Sequence, residues 1–175
     1  MGQSLGGLTS LEMVAEDKTR FKGASLVVPY LALSAKDQAL LDKFKPFAKI
    51  LNKVAPTFKI NARKGRPLKK WILNFADDPL YEGASICCHN LVNNERQLKY
   101  FHEKVADKVK TPFLMILGGK DTLVCNKTSK DFFENNEGKD KDLIVYDDAD
   151  HCILQDAEYW PTVALDVIGW SNTHR

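Results

Sequence analysis

No run of about eighteen apolar residues occurs in the chain, which argues against a transmembrane helix. The first residues also lack the basic, apolar and cleavage regions of a secretory signal. Cysteine is scarce: Cys87, Cys88, Cys125 and Cys152 are too few for a disulfide framework, and neither their spacing nor that of the histidines suits zinc. Reduced thiols in a cytoplasmic protein are the resulting expectation, with no metal and no cofactor. Asn126-Lys127-Thr128 matches a glycosylation sequon and, without a leader, is read as chance. Acidic residues are nearly missing between Lys36 and Lys70, where only Asp37 and Asp42 oppose eleven lysines and arginines. The remainder is correspondingly acidic, because the net charge of all 175 residues is only +2.

The composition, 44% hydrophobic and 27% charged, is that of a globular protein long enough to bury a core. Three short apolar runs stand out. Residues 24–33 open with Ala-Ser-Leu-Val-Val and stop at Pro29; Pro112 to Leu117 stops at Gly118-Gly119; Leu143 to Tyr146 runs into Asp147-Asp148. Unbroken apolar character fits parallel strands covered on both faces. A polar helix is predicted between the last two, around Thr128 to Asn135. A final helix is predicted to present Trp160, Val163, Ala164, Val167 and Ile168 on one face, with Pro161 near its first turn. Strand, helix, strand, helix points to right-handed crossovers in a parallel sheet. Between the first strand and the last two, Leu40, Leu41, Phe44, Phe47, Ile50, Leu51 and Val54 approximate a helical stripe around Pro46. Ile86, Asn90, Leu91, Leu98, Phe101 and Val105 suggest further helices, and no strand alternation is evident there. The expected division is residues 1–33, a helical insertion at 34–107, and 108–175.

Chemistry is concentrated at three points. Gly2-Gln3-Ser4-Leu5-Gly6 has the form G-x-S-x-G, a sharp strand-to-helix turn that exposes a serine hydroxyl. Leu8, Leu11, Met13, Val14 and Ala15 supply the helix that must follow it. A hydrolytic serine needs a histidine to take its proton and a carboxylate to orient that histidine. Asp121, just beyond the second apolar run, and His151, just beyond the third, are the candidates. Both fall on loops at the carboxyl ends of strands, the edge where open parallel sheets bind ligands. Asp147, Asp148 and Asp150 compete for the acid's role but share a loop with His151, while Asp121 could be a turn residue only. His89 and His102 fall in the helical segment and His174 near the last residues, so all three are read as ordinary histidines.

These residues, in this order, resemble a monoacylglycerol lipase of the α/β-hydrolase superfamily. Gly2-Gln3-Ser4-Leu5-Gly6-Gly7 is similar to that family's Gly-His-Ser-Met-Gly-Gly, with Gln3 and Leu5 as departures. The strand at Leu26-Val27-Val28, Asp78-Pro79-Leu80, Thr111-Pro112-Phe113-Leu114, Gly119-Lys120-Asp121 and Tyr146 through His151 also have counterparts. The resemblance implies a partial α/β-hydrolase fold with the last three parallel strands, flanking helices and a helical cap. It implies hydrolysis of monoacylglycerols or similar lipid esters through an acyl-enzyme: Ser4 attacks, His151 shuttles the proton, Asp121 fixes the imidazole, and Leu5 offers an oxyanion-hole amide. The family's His-Gly segment, which supplies a second amide, has no match in this sequence, and one residue precedes the motif. A chain truncated at its N-terminus, without the strand that delivers Ser4, is therefore expected. The alternative is an inactive remnant that binds lipid or a partner. The basic segment 36–70 reads either as an interfacial surface for anionic lipid or as a solvated face. Phe58 and Trp71 come without a nucleic-acid recognition motif, so nucleic acid is not expected.

Overall fold

The computed structural model describes residues 1–61 and 85–174. Trp71, Asp78-Pro79-Leu80 and the basic residues Arg63, Lys64, Arg66, Lys69 and Lys70 lie outside the described residues. In chain order the elements are β1 (Gly2–Gln3), α1 (Leu5–Glu16), β2 (Ala24–Val27), α2 (Ala35–Val54), β3 (Lys59–Asn61), β4 (Ser85–Cys87) and α3 (Cys88–Tyr100). A π-type turn over Phe101–Val105 extends α3, followed by β5 (Phe113–Gly118), α4 (Asn126–Asn135), β6 (Lys141–Tyr146) and α5 (Trp160–Thr173). The chain forms two compact units, Met1–Gln38 with Leu98–Arg175, and Ala39–Gln97.

The first unit is built on a parallel sheet in the order β1-β2-β5-β6. Three strands were expected from the sequence; the structure has a fourth, β1, only two residues long, pairing Gly2 with Leu26 and Gln3 with Val27. Every residue of β2 and β5 is buried, which explains their unbroken apolar runs. Side chains alternate between two cores. Leu26, Phe113, Met115 and Leu117 pack with Leu8, Leu11 and Val14 of α1 and with Phe101, Val105 and Val109. Val27, Leu114 and Ile116 face the opposite way, onto Ile153 and Val163, with Val167 and Trp170 packed alongside. Burying each such large side chain contributes about 1.5–3 kcal/mol.

Helix α1 forms because apolar residues recur at helical spacing without a proline or a β-branched run, and the chain turns where Asp17 Oδ1 accepts the amides of Thr19 (3.1 Å) and Arg20 (3.0 Å). Helix α5 places Pro161 in its first turn, where a missing N–H costs nothing. Its inward face differs from the predicted one: Val163, Val167 and Trp170 pack inward, whereas Trp160 and Ile168 stay exposed.

His174, beyond α5, stacks on Trp170 with ring centroids 4.0 Å apart. Its Nδ1 faces the Trp170 carbonyl at 2.7 Å and its Nε2 faces Asp140 Oδ1 at 2.9 Å. Both nitrogens thus meet acceptors, and these bonds, led by the Trp170 carbonyl, with the nearby charges of Asp140 and Asp142, raise the imidazole above its usual pKa. A raised folded-state pKa means that the cation's contribution is fully present below about pH 6.5, the unfolded value. It is lost as the pH rises through the higher folded value. The expected result is that His174→Gln lowers the melting temperature more at acidic than at alkaline pH; a difference independent of pH would refute it.

The second unit contains an element that the sequence did not disclose. Strands β3 and β4 pair antiparallel, Lys59 with Cys87 and Ile60 with Ile86, inside the segment expected to be mainly helical. Within this unit His89 bridges Asn52 (3.1 Å) and Asn93 (2.7 Å), and Lys45 pairs with Glu95. The predicted apolar stripe of α2 is present but mostly unburied: Leu40, Phe44, Phe47, Ile50 and Val54 are exposed, and Ala48 is the buried residue of the helix. Among the described residues no helix is long and apolar enough to cross a membrane.

Candidate active site

Strand β1 ends directly in the turn that carries Ser4. Ser4 adopts φ 52° and ψ −118°, a left-handed backbone that is strained for a residue with a side chain. Surrounding bonds enforce it. The Ser4 amide donates to Val27 O (3.0 Å), and its carbonyl accepts from Gly7 (2.9 Å) and Tyr30 (2.9 Å). The two small residues that the turn requires are Gly2 and Gly7. A Cβ on Gly2 would stand 2.1 Å from Gly6 O, and one on Gly7 would stand 2.9 Å from Pro29 Cβ. Gly6, by contrast, has nothing beyond its own helix within 4 Å, so the motif's second glycine is not needed for space.

The segment after β2 acts as a strap that also reaches the acid. Val28, fully buried at φ 42°, turns the chain and donates to Ile116 O at 2.7 Å. Further along, Ser34 donates to Leu123 O (2.9 Å), Ala32 O accepts the Cys125 amide (2.9 Å), and His102 on the π-type turn holds Leu31 O through Nε2 (2.7 Å). The same short stretch therefore grips the backbone of Ser4 and the loop of Asp121.

Asp121 follows β5. Its Oδ1 accepts the amides of Leu123 (2.8 Å) and Val124 (3.0 Å), and its Oδ2 lies 2.7 Å from His151 Nδ1. The carboxylate side chain is fully buried, and that of His151 is only 13% exposed. His151 Nε2 lies 2.9 Å from Ser4 Oγ. One imidazole thus joins the carboxylate and the hydroxyl, with Nδ1 donating to Asp121 and Nε2 free to accept from Ser4. The histidine loop sits close against the end of β5: a Cβ on Gly118 would meet Asp150 O at 2.7 Å, and one on Gly119 would meet Asp147 O at 2.4 Å. Lys120 fixes the same junction, its amide donating to Ala149 O (2.8 Å) and its ammonium pairing with Asp148.

The competing residues are engaged elsewhere. Asp148 holds Lys120, and Asp150 Oδ1 accepts the Cys152 amide at 2.8 Å. Asp147 is exposed. His89, His102 and His174 bind Asn52, Leu31 O and Asp140 respectively, and none of these bonds reaches Ser4. Leu5 is the first residue of α1, directly after Ser4. Among the described residues no cluster of His, Cys, Asp or Glu is arranged to hold a metal ion. Sequence reading missed the strap and the contacts of Gln3 with the histidine loop, neither of which leaves a local signal.

Residues 1–158 match the family model described as serine aminopeptidase, S33. The chain belongs to this family. Its sequence and fold are those of a monoacylglycerol lipase-like α/β-hydrolase. It is 26% identical to the monoglyceride lipase of Rattus norvegicus, covering 99% of this chain and 56% of the relative, and 27% identical to that of Mus musculus, covering 100% and 58%. The chain thus spans a little over half the length of these relatives. Among solved structures it resembles the monoacylglycerol lipase of Paleococcus ferrophilus, with a TM-score of 0.82 at 25% identity, covering 99% of this chain and 67% of that one. A soluble variant of the Saccharomyces cerevisiae monoglyceride lipase, in complex with a substrate analog, shares the fold with a TM-score of 0.80 at 20% identity, covering 99% and 60%.

Proposed function

We propose that this family member hydrolyses monoacylglycerols or similar lipid esters, with Ser4 as nucleophile, His151 as general base and acid, and Asp121 as the residue that orients it. The unbroken bonding from Asp121 through His151 to Ser4 carries the reading. Ser4 Oγ attacks the ester carbonyl while its proton passes to His151 Nε2. Negative charge develops on the former carbonyl oxygen, where the Leu5 amide at the start of α1 donates to it. His151 then returns the proton to the departing alcohol, leaving an acyl group on Ser4. Water, deprotonated by His151, releases the fatty acid and restores the serine. Both substrate and chemistry draw support from the names of the relatives. Residues 1–33 and 108–175 serve as the hydrolase core and 34–107 as the cap insertion. The protein works in the cytoplasm and meets lipid as a peripheral membrane protein.

The exposed apolar face of α2 also suits a second reading, a non-catalytic module that binds lipid or a partner. A fluorophosphonate probe separates the two. The expected result is a single covalent adduct located on Ser4 by peptide mass spectrometry and abolished in Ser4→Ala. A folded protein that takes up no adduct rules out the hydrolase and leaves the binding module.

A further inference from the structure

We propose that Gln3 is a positioning residue that holds His151 against Ser4 by tying the nucleophile strand to the histidine loop. The inference rests on the reading in which Ser4 and His151 act together. Gln3 Nε2 donates to the His151 carbonyl and to Gln155 Oε1, each at 3.2 Å, and Gln155 Nε2 donates back to Gln3 Oε1 at 3.1 Å. A closed ring results. Ser4 Oγ meets His151 Nε2, the His151 carbonyl meets the Gln3 side chain, and Gln3 is joined to Ser4 by a peptide bond.

The loop between β6 and α5 is seated on the sheet by Ala149 and Ile153, both fully buried with Val27 and Ile116, and is shaped by short-range bonds of its own. Ala149 donates to Tyr146 O (3.1 Å), Cys152 to Asp150 Oδ1 (2.8 Å) and Gln155 to Cys152 O (2.9 Å). None of these bonds engages the His151 carbonyl, which accepts from Gln3 Nε2. The Lys120 amide anchors it at Ala149, on the side of the acid; Gln3 anchors it at His151 and Gln155, on the side of the nucleophile. The amide is well chosen for this. A carboxylate at position 3 would face the His151 carbonyl with like partial charge, and an apolar side chain could make none of the three bonds. Since Gln3 is half-buried and Gln155 exposed, the bonds are partly replaceable by water, and their loss is expected to slow Ser4 by roughly three- to tenfold.

The test compares Gln3→Met, Gln155→Met, the double variant and Gln155→Glu in the full chain. Two readouts are used: inactivation by a fluorophosphonate, and the downfield proton signal of His151 Nδ1–H on Asp121, which needs no turnover. In Gln3→Met the maximal inactivation rate is expected to fall by that factor with the probe's reversible binding constant and the melting temperature nearly unchanged, while the proton signal broadens. The double variant is expected to be no slower than Gln3→Met, because the two side chains act as one unit. Gln155→Glu keeps an acceptor for Gln3 Nε2 but sets a second oxygen against Gln3 Oε1 in place of a donor, so its rate is expected to fall between those of the wild type and Gln3→Met. A Gln3→Met protein that reacts at the wild-type rate with a sharp signal overturns the proposal. A wild-type protein that shows the signal, loses it in Gln3→Met and yet takes up no adduct upholds the role of Gln3 and sinks the hydrolase reading instead. No signal in the wild type, or one indifferent to Gln3, sinks the role of Gln3.

Discussion

Asp121→Asn is expected to slow reaction at Ser4 by about 10⁴-fold while leaving the fold intact. The reason lies in who donates to whom. Asp121 accepts on every side, from the Leu123 and Val124 amides at Oδ1 and from His151 at Oδ2. An asparagine must turn its amino group toward one of these donors. Keeping its oxygen on the two backbone amides preserves the turn and is the better arrangement, so the amino group faces His151. Nδ1 must then become an acceptor, the imidazole proton moves to Nε2, and Nε2 can no longer receive the proton of Ser4. The substitution preserves volume at a fully buried position, so a lost fold is not the expected cause. Inactivation kinetics and a melting curve on the same protein decide the matter. A rate within tenfold of wild type would remove Asp121 from its proposed role.

The second large effect concerns α2. Paired substitution of Phe44→Glu and Phe47→Glu is expected to weaken binding to vesicles containing anionic lipid by about 10- to 100-fold. Both rings are roughly half exposed, at 49% and 55%, on a helix whose Lys36, Lys43, Lys49 and Lys53 are also exposed. Apolar side chains standing in water beside cations are suited to a surface that is oily below and negative above. The substitution removes the inserted surface and adds like charge toward the lipid. Wild-type binding should also weaken as salt rises, because the lysines act through a screened field. Labelling of Ser4 in solution should be unaffected, which separates a docking defect from a folding defect. Vesicle co-sedimentation indifferent to both the substitution and salt would leave α2 without this role.

What could be read in advance followed from pattern length. Strands β2 and β5 are buried on both faces and wrote themselves as apolar runs; the loops holding Asp121 and His151 were located by where the runs of β5 and β6 stopped. Strand β1 has two residues and β3 and β4 three each, too few for any period to register. The face of α5 was misjudged at Trp160 because periodicity identifies a stripe but not which end of it meets the sheet; Trp170, ten residues later, takes the core position. Gln3 and Gln155 are 152 residues apart, and nothing local marks either amide as the other's partner. Contacts of that kind become visible only when the sheet has brought the strand ends together.

The pairing of β2 with β5 has a consequence for how this chain tolerates change. Val27 and Ile116 are neighbours in the sheet, yet the whole unit Ala39–Gln97 lies between them in sequence. Bringing the two strands together closes that stretch as a loop, and closure entropy grows only with the logarithm of loop length. Doubling or halving a flexible insertion there changes the cost by only about 0.6 kcal/mol. The stretch from Asp121 to His151 has no such freedom, since it is spanned by α4 and β6 and ends in a loop packed so closely on Gly118 and Gly119 that neither has room for a Cβ. Insertions and deletions in the inserted unit are therefore nearly neutral for the sheet, whereas a single residue added between β5 and the histidine is not.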